Sequence, residues 1–271
     1  MAQPFRREKV KKDLLGLGVL GLSGKELFAA VPFARVVPMR RIGLLWMMAA
    51  LGAVANADDG QRIFDGKTLN GWLAQDMSFW SVEDGAITAK SAADHPCAKN
   101  QFLVWQGGEI GDFELTLQFR LDGGPQANSG VQVRSKMFED GHAEGYQADI
   151  TQPAAPYLGA IYDEHGRKML AKRGQTTIIR EDGKMESQPI QGAEQLLDGV
   201  DLTQWTAYRI VFEGPRMTVE LAGKKTAEIL DLQESEREMS GILALQLHSG
   251  PPMKVQFRDV VLKKLAPKAA K

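Results

Sequence analysis

The 271-residue chain contains a single cysteine, Cys97. That excludes an internal disulfide framework and any cysteine-rich metal centre. Histidine is nearly as scarce: His95, His142, His165 and His248 are dispersed, and no two stand at zinc-ligand spacing. A phosphate-binding glycine loop and a nucleophile-elbow serine are both missing. No stretch has the apolar period of a long amphipathic helix, and AEQLLDGVDLTQ holds one short turn at most. Long hydrophobic runs are absent too. The best, IGLLWMMAALGAV at 42–54, is uncharged but too short to span a bilayer comfortably.

That run has another reading. Arg40 and Arg41 precede it, and Ala55-Asn56-Ala57 follows as a small-x-small cleavage signal. Residues 39–57 therefore read as a secretory signal peptide. Residues 1–38 read as an over-extended start or a disordered N-terminus, with Met39 as the expected first residue. The mature chain is expected to begin near Asp58. It is expected to be exported, periplasmic or secreted, with no stable membrane span once the signal is removed.

Removing the leader changes the charge balance. Residues 1–57 hold nine of the 33 basic and three of the 34 acidic residues, leaving 24 against 31, a net charge of −7. An acidic exported domain is a poor partner for nucleic acid, which rewards basic patches. The remaining length suits one domain, expected over 58–265, with the Ala/Lys-rich APKAAK at 266–271 as a disordered tail.

What is present is strand pattern. In DFELTLQFRLD, Phe113, Leu115, Leu117, Phe119 and Leu121 alternate with Glu114, Thr116, Gln118 and Arg120. Period two over this length marks a strand with one buried face. SGVQVRS, the pair AYRIVFEG and PRMTVELAG (a hairpin), GILALQLHSG and MKVQFRDVVLKKL follow the same rule. In the last, the apolar phase slips between Phe257 and Val260, which predicts a β-bulge. Many short strands with Gly/Pro turns and no helices predict an all-β fold, a jelly-roll β-sandwich of two antiparallel sheets.

Polar residues on such strands are the candidates for chemistry. In GYQADI, Tyr146, Ala148 and Ile150 share the apolar face, while Gln147 and Asp149 share the other, with Thr151 next. In LALQLHSGPPM the leucines share one face and Gln246 and His248 the other. A histidine there is most often a solvated surface residue, but Gln246 beside it and the Gly-Pro-Pro turn after it make it a candidate. YDEHGR packs Tyr162, Asp163, Glu164, His165 and Arg167 into one segment; a charged turn with a local ion pair is the plainer reading, acid/base groups with an orienting guanidinium the sharper one. Arg134 in NSGVQVR reads by itself as a surface residue. On a concave sheet, amides and carboxylates bind vicinal hydroxyls and aromatic rings stack on sugar faces.

Taken in order, IFDGKTLNGW, FWSVEDGAI, GDFELTLQFR, NSGVQVR, GYQADI, GAIYDEHGR and LALQLHSGPPMKVQFRDVVLKKL resemble the 3-keto-disaccharide hydrolase domain family, over about residues 62–265. The resemblance implies a concanavalin-like jelly roll and an exported protein acting on a glycoside whose C3 hydroxyl has been oxidised to a ketone. The ketone acidifies the C2 proton, so a base removes it and the C1 leaving group is expelled; water then adds to the enone. This chemistry asks for a base, an acid and a donor to the enolate oxygen.

Carried over motif by motif, the resemblance puts Arg134, Gln147, Asp149, Asp163, Glu164, Arg167, Gln246 and His248 in the sugar-facing cleft, with Tyr162 beside them. Asp149 or His248 would be the base, Glu164 or Asp163 the acid, and Arg134 or Arg167 the oxyanion donor. Many relatives carry Glu then Gln where this chain has Gln147 and Asp149, and Asn where it has Thr206. No cofactor is expected; a divalent metal is compatible with the Asp/Glu/His cluster, but nothing in the spacing demands it. The alternative is a non-catalytic, lectin-like carbohydrate-binding module on the same fold. The oligomeric state is not legible.

Overall fold

The computed structural model describes residues 60–152 and 156–267. The expected segments 1–38 and 39–57, and the last four residues of the expected tail, lie outside the described residues. Among the described residues the elements are strands in two sheets, plus short 3-10 turns at Met77–Phe79 and Ala193–Gln195, the second within the stretch expected to hold a turn. No described helix is long and apolar enough to cross a membrane.

The larger sheet has ten described strands. From edge to edge it runs Met185–Pro189, Gln175–Ile179, Lys224–Asp231, Arg216–Leu221, Thr206–Glu213, Phe113–Gly123, Met253–Lys264, Ala86–Lys90 and Trp80–Glu83, with Gln61–Arg62 paired on Met253–Lys264. The smaller has seven: Lys168–Ala171, Ile161–Glu164, Ala143–Thr151, Asn128–Met137, Ile242–Leu247, Gln101–Trp105 and Trp72–Ala74. Pairing is antiparallel throughout except where Gln175–Ile179 runs parallel to Lys224–Asp231, a departure from the wholly antiparallel expectation.

The two sheets bury a shared core. Phe113, Leu115, Leu117, Phe119 and Leu121 are all buried, and the residues between them are partly exposed. The same buried cluster takes in Val131, Val133, Tyr146, Ala148, Ile150, Leu243, Leu245 and Leu247 from the smaller sheet. Each large side chain buried in this way contributes about 1.5–3 kcal/mol. The expected bulge is present: the register of Met253–Lys264 slips between Arg258 and Val261, and Asp259 takes φ +52°. Phe257 and Val260 consequently both reach the core.

A second bulge matters more. The register between Asn128–Met137 and both neighbouring strands slips at Arg134, which adopts φ +45°. Alternation alone would set Arg134 beside Gln132 on the outer face of the smaller sheet. The extra residue turns it inward instead.

Candidate functional site

On the outer face of the smaller sheet, cross-strand register assembles a polar floor. Gly130 lies opposite Asp149 on one side and Gln246 on the other; Gln132 lies opposite Gln147 and Ala244. Tyr162 pairs with Gln147, and Glu164 with Gly145, so Tyr162 and Glu164 join the same face. Above this floor opens a cavity of about 360 Å³ lined by Asn128, Gln147, Asp149, Tyr162, Glu164 and His248. Thr151, Tyr157, Lys168 and Met169 complete its walls.

Asp149 is the most constrained of these groups. Its backbone carbonyl accepts from Tyr208 Oη at 2.9 Å, reaching through the core, and from the Gly159 amide at 2.9 Å. Its own amide donates to the Ala160 carbonyl at 3.1 Å. Its carboxylate accepts from Gln147 Nε2 at 2.9 Å and is only 7% exposed. Burial pushes this carboxyl up to about 7; the Gln147 bond opposes the shift and the Glu164 charge adds to it. Burial likewise raises Tyr162, with the Glu164 and Asp149 charges acting in the same direction, so its phenol stays a donor.

His248 is partly buried, and its Nδ1 sits 2.6 Å from the Ser249 carbonyl. A carbonyl only accepts, so Nδ1 carries a proton, and Nε2 is the ring nitrogen left to meet a bound molecule. Gly130 has a spatial role. A Cβ built there would lie 2.5 Å from Gln147 Cδ, so the absence of a side chain lets the Gln147 amide lie across the sheet. Several floor atoms have no partner although they are buried: Asn128 Oδ1, Gln132 Oε1, Gln147 Oε1 and both amide atoms of Gln246. Buried polar atoms are ordinarily bonded; of these four residues, Asn128 and Gln147 line the cavity, whereas Gln132 and Gln246 lie wholly buried beneath it.

Asp149, Glu164, His248, Gln147 and Tyr162 are thus brought together as the sequence reading expected. Gln246 is on the same face but wholly buried, in the floor rather than the wall. Three expected residues are elsewhere. Arg134 is fully buried between the sheets, donating to the carbonyls of Gly111 and Gly214 at 2.8 Å and to Asp112 at 2.6 Å, with its guanidinium 4.0 Å over the Phe212 ring. Asp163 pairs across the sheet with Tyr146, not Gln147, and so points into the sandwich. There Arg167 bonds Asp163 and Asp231, each at 2.8 Å, and Tyr146 Oη donates to Asp231 at 2.5 Å. Burial works against the Arg167 charge, but the two carboxylates hold it firmly protonated.

Asn128, Lys168 and Met169 were not singled out from the sequence. Asn128 was legible as the alternation partner of Gln132 four positions earlier in NSGVQVR. Lys168 was not, because its place depends on φ +71° at the first residue of the strand Lys168–Ala171, directly after the turn at 165–167. Among the described residues, no group of three or more His, Cys, Asp or Glu side chains is arranged to hold a metal ion.

A family model described as the 3-keto-alpha-glucoside-1,2-lyase-like domain matches residues 59–263. Among solved structures, a candidate glycosyl hydrolase from Parabacteroides distasonis is 20% identical, with 76% of this chain and 98% of that one covered and a TM-score of 0.50. A Bacillus subtilis protein of unknown function with a galectin-like fold is 10% identical, covering 74% and 92%, also at 0.50. These two likenesses show a shared fold. No curated protein matches the chain.

Proposed function

The chain belongs to the 3-keto-alpha-glucoside-1,2-lyase-like domain family, which is carbohydrate-related, and on that premise we propose that its pocket takes a 3-keto-glycoside and breaks the C1–O bond by elimination. The observation that carries this reading is Asp149, a buried carboxyl fixed at both backbone and side chain beneath an open cavity floored by unpartnered amides. The ketone at C3 makes C2–H acidic. Asp149 takes that proton, and the C–H electron pair forms an enolate spread onto the C3 oxygen. Collapse of the enolate forms C1=C2 as the C1–O bond breaks, and the proton that Asp149 has taken passes by way of Glu164 to the departing oxygen. Water added across the resulting enone returns the free 3-keto sugar.

The remaining groups take supporting roles. Tyr162 and Lys168 are the hydrogen donors in the wall, suited to the enolate oxygen. His248 Nε2 accepts from a sugar hydroxyl, and Gln147 and Asn128 orient others. A base that ionises near 7 is matched to proton abstraction at neutral pH.

The test is an assay with methyl 3-keto-glucoside, following the ultraviolet absorbance of the enone and release of the 3-keto sugar. Turnover is expected to rise as pH passes through about 7, where Asp149 ionises. Asp149→Asn is expected to lower kcat/KM by about 10²–10⁴-fold. Sugar bound without any product would instead assign the same floor to a carbohydrate-binding module, and absence of both binding and turnover would remove the sugar reading altogether.

A further inference from the structure

The outer face of the larger sheet carries a polar assembly of its own, on the far side of the sandwich from the cavity above Asp149. Register between Phe113–Gly123 and Met253–Lys264 sets Arg120 opposite Gln256 and Asp122 opposite Lys254. Side chains alternate along a strand, so these four share the face turned away from Leu121 and Val255 in the core. The segment at 202–205 is tied to this strand by the Leu121 amide, which donates to the Leu202 carbonyl at 2.7 Å. A cavity of about 240 Å³ opens there, lined by Arg120, Asp122, Lys254, Gln256 and Thr203. It shares no residue with the first cavity.

Arg120 is held in place with its terminal nitrogens left over. Its Nε donates to Gln256 Oε1 at 2.7 Å, and the buried Gln256 is fixed in turn by donating to Thr88 Oγ1 at 2.8 Å. The Arg120 guanidinium lies 4.8 Å from the centre of the Trp205 ring, and that of Arg258 lies 4.1 Å from the same ring. Arg258 bonds Gln118 Oε1 at 3.0 Å and stands 3.6 Å from Asp259. Arg120, by contrast, has no carboxylate partner among the described residues, and its Nη atoms donate to no protein group there. A guanidinium bonded at Nε and set against an indole is oriented before any ligand arrives. Two cations against one ring repel each other, and an anion on Arg120 relieves that repulsion.

The wall is not uniformly cationic. Lys254 leans to Glu83 at 3.6 Å, and the exposed Asp122 carboxylate forms no ion pair among the described residues. Asp122 therefore opposes a bare dianion but accepts from hydroxyls. The cavity is smaller than the roughly 300–1,000 Å³ of a drug-sized site, which suits a single ring.

We propose that this cavity is a binding site, separate from the reaction, for a uronic acid, a sugar ring that carries a carboxylate. The carboxylate takes the Nη atoms of Arg120, and a ring hydroxyl donates to Asp122. Occupied in this way, the outer face tethers the protein to an acidic glycan and leaves the first cavity free. The inference does not depend on the elimination reading, and failure to turn over a 3-keto-glycoside leaves it untouched.

The experiment is calorimetry on the full chain with methyl glucuronide, with methyl glucoside lacking the carboxylate and acetate lacking the ring. Arg120→Lys keeps the charge but loses the fork, and is expected to weaken the glucuronide about tenfold while leaving methyl glucoside unchanged. Asp122 is exposed, so Asp122→Asn does not threaten folding; it is expected to weaken the glucuronide about fivefold and acetate not at all. Asp149→Asn is expected to bind the glucuronide as the wild type does. A glucuronide affinity unchanged in Asp122→Asn, or in a folded Arg120→Lys, overturns the site. Acetate binding as tightly as the glucuronide reduces it to an anion site and overturns the sugar. Loss of the glucuronide in Asp149→Asn would seat that sugar in the first cavity and overturn the proposal.

Discussion

Asp163 and Glu164 are neighbours in the chain and have the same chemistry, yet they belong to two different polar clusters. Asp163 faces the sandwich interior, where Arg167 bonds it and Asp231 together and Tyr146 caps Asp231. Glu164 faces outward over a cavity with Asp149 and His248. In the inner cluster Arg167, Asp163, Asp231 and Tyr146 are bonded to one another, and beside them burial and the Asp163 charge push the Glu238 carboxyl up to about 7. The outer cluster is open, with a carboxyl lifted by burial and amides left without partners. Burial of a charge is tolerated structurally only when the partner is internal. Where partners are missing, burial carries a cost, and at Asn128 and Gln147, which line the cavity, a bound molecule is placed to relieve it.

The contrast is broken most forcefully from the inside. Arg167→Ala leaves Asp163 and Asp231 buried with their shared cation gone, and is expected to cost about 3–5 kcal/mol in urea unfolding. Activity per folded molecule should stay near the wild-type level; a variant that is fully stable yet inactive would place Arg167 in the site after all. From the outside the sign reverses. The folded carboxyl of Asp149 titrates far above its unfolded range, so wild-type stability falls as pH rises from about 4 through about 7. Asp149→Asn avoids ionising that group. It is expected to be more stable than wild type by roughly 2–4 kcal/mol at pH 8, the gain vanishing near pH 4. Thermal unfolding at the two pH values checks this, and equal or lower stability at pH 8 contradicts it. Smallest in effect is Gly130→Ala, whose methyl displaces the Gln147 amide. A rise in KM of about tenfold, equal to about 1.4 kcal/mol, is expected with little change in unfolding midpoint. An unchanged KM would show that the Gln147 position is not used.

Much of the sandwich was legible because period-two alternation is a direct record of which face is buried. The strand Phe113–Gly123, the hairpin of Thr206–Glu213 and Arg216–Leu221, and the bulge near Asp259 all follow from it. The same rule, applied to GYQADI and LALQLHSG, brought Gln147, Asp149, Gln246 and His248 to one face. It failed where the backbone leaves the pleat. At Arg134 a single inserted residue with positive φ inverted the face, and nothing in NSGVQVRSK announces it. In YDEHGR, carrying whole motifs over did not separate alternate residues, although Asp163 and Glu164 cannot share a face on one strand.

The sequence by itself determined the pattern of faces, because alternation is a local property of extended backbone and burial selects for it residue by residue. Only the tertiary structure decided which face carries the cavity. Register between strands far apart in the chain aligned Asp149, Gly130 and Gln246, and a bulge withdrew Arg134. Gln75 and Lys99 hold the hairpin turn at 138–142 from segments far away in the chain. Those outcomes depend on pairing and packing across the whole sandwich, and no short window of residues contains them.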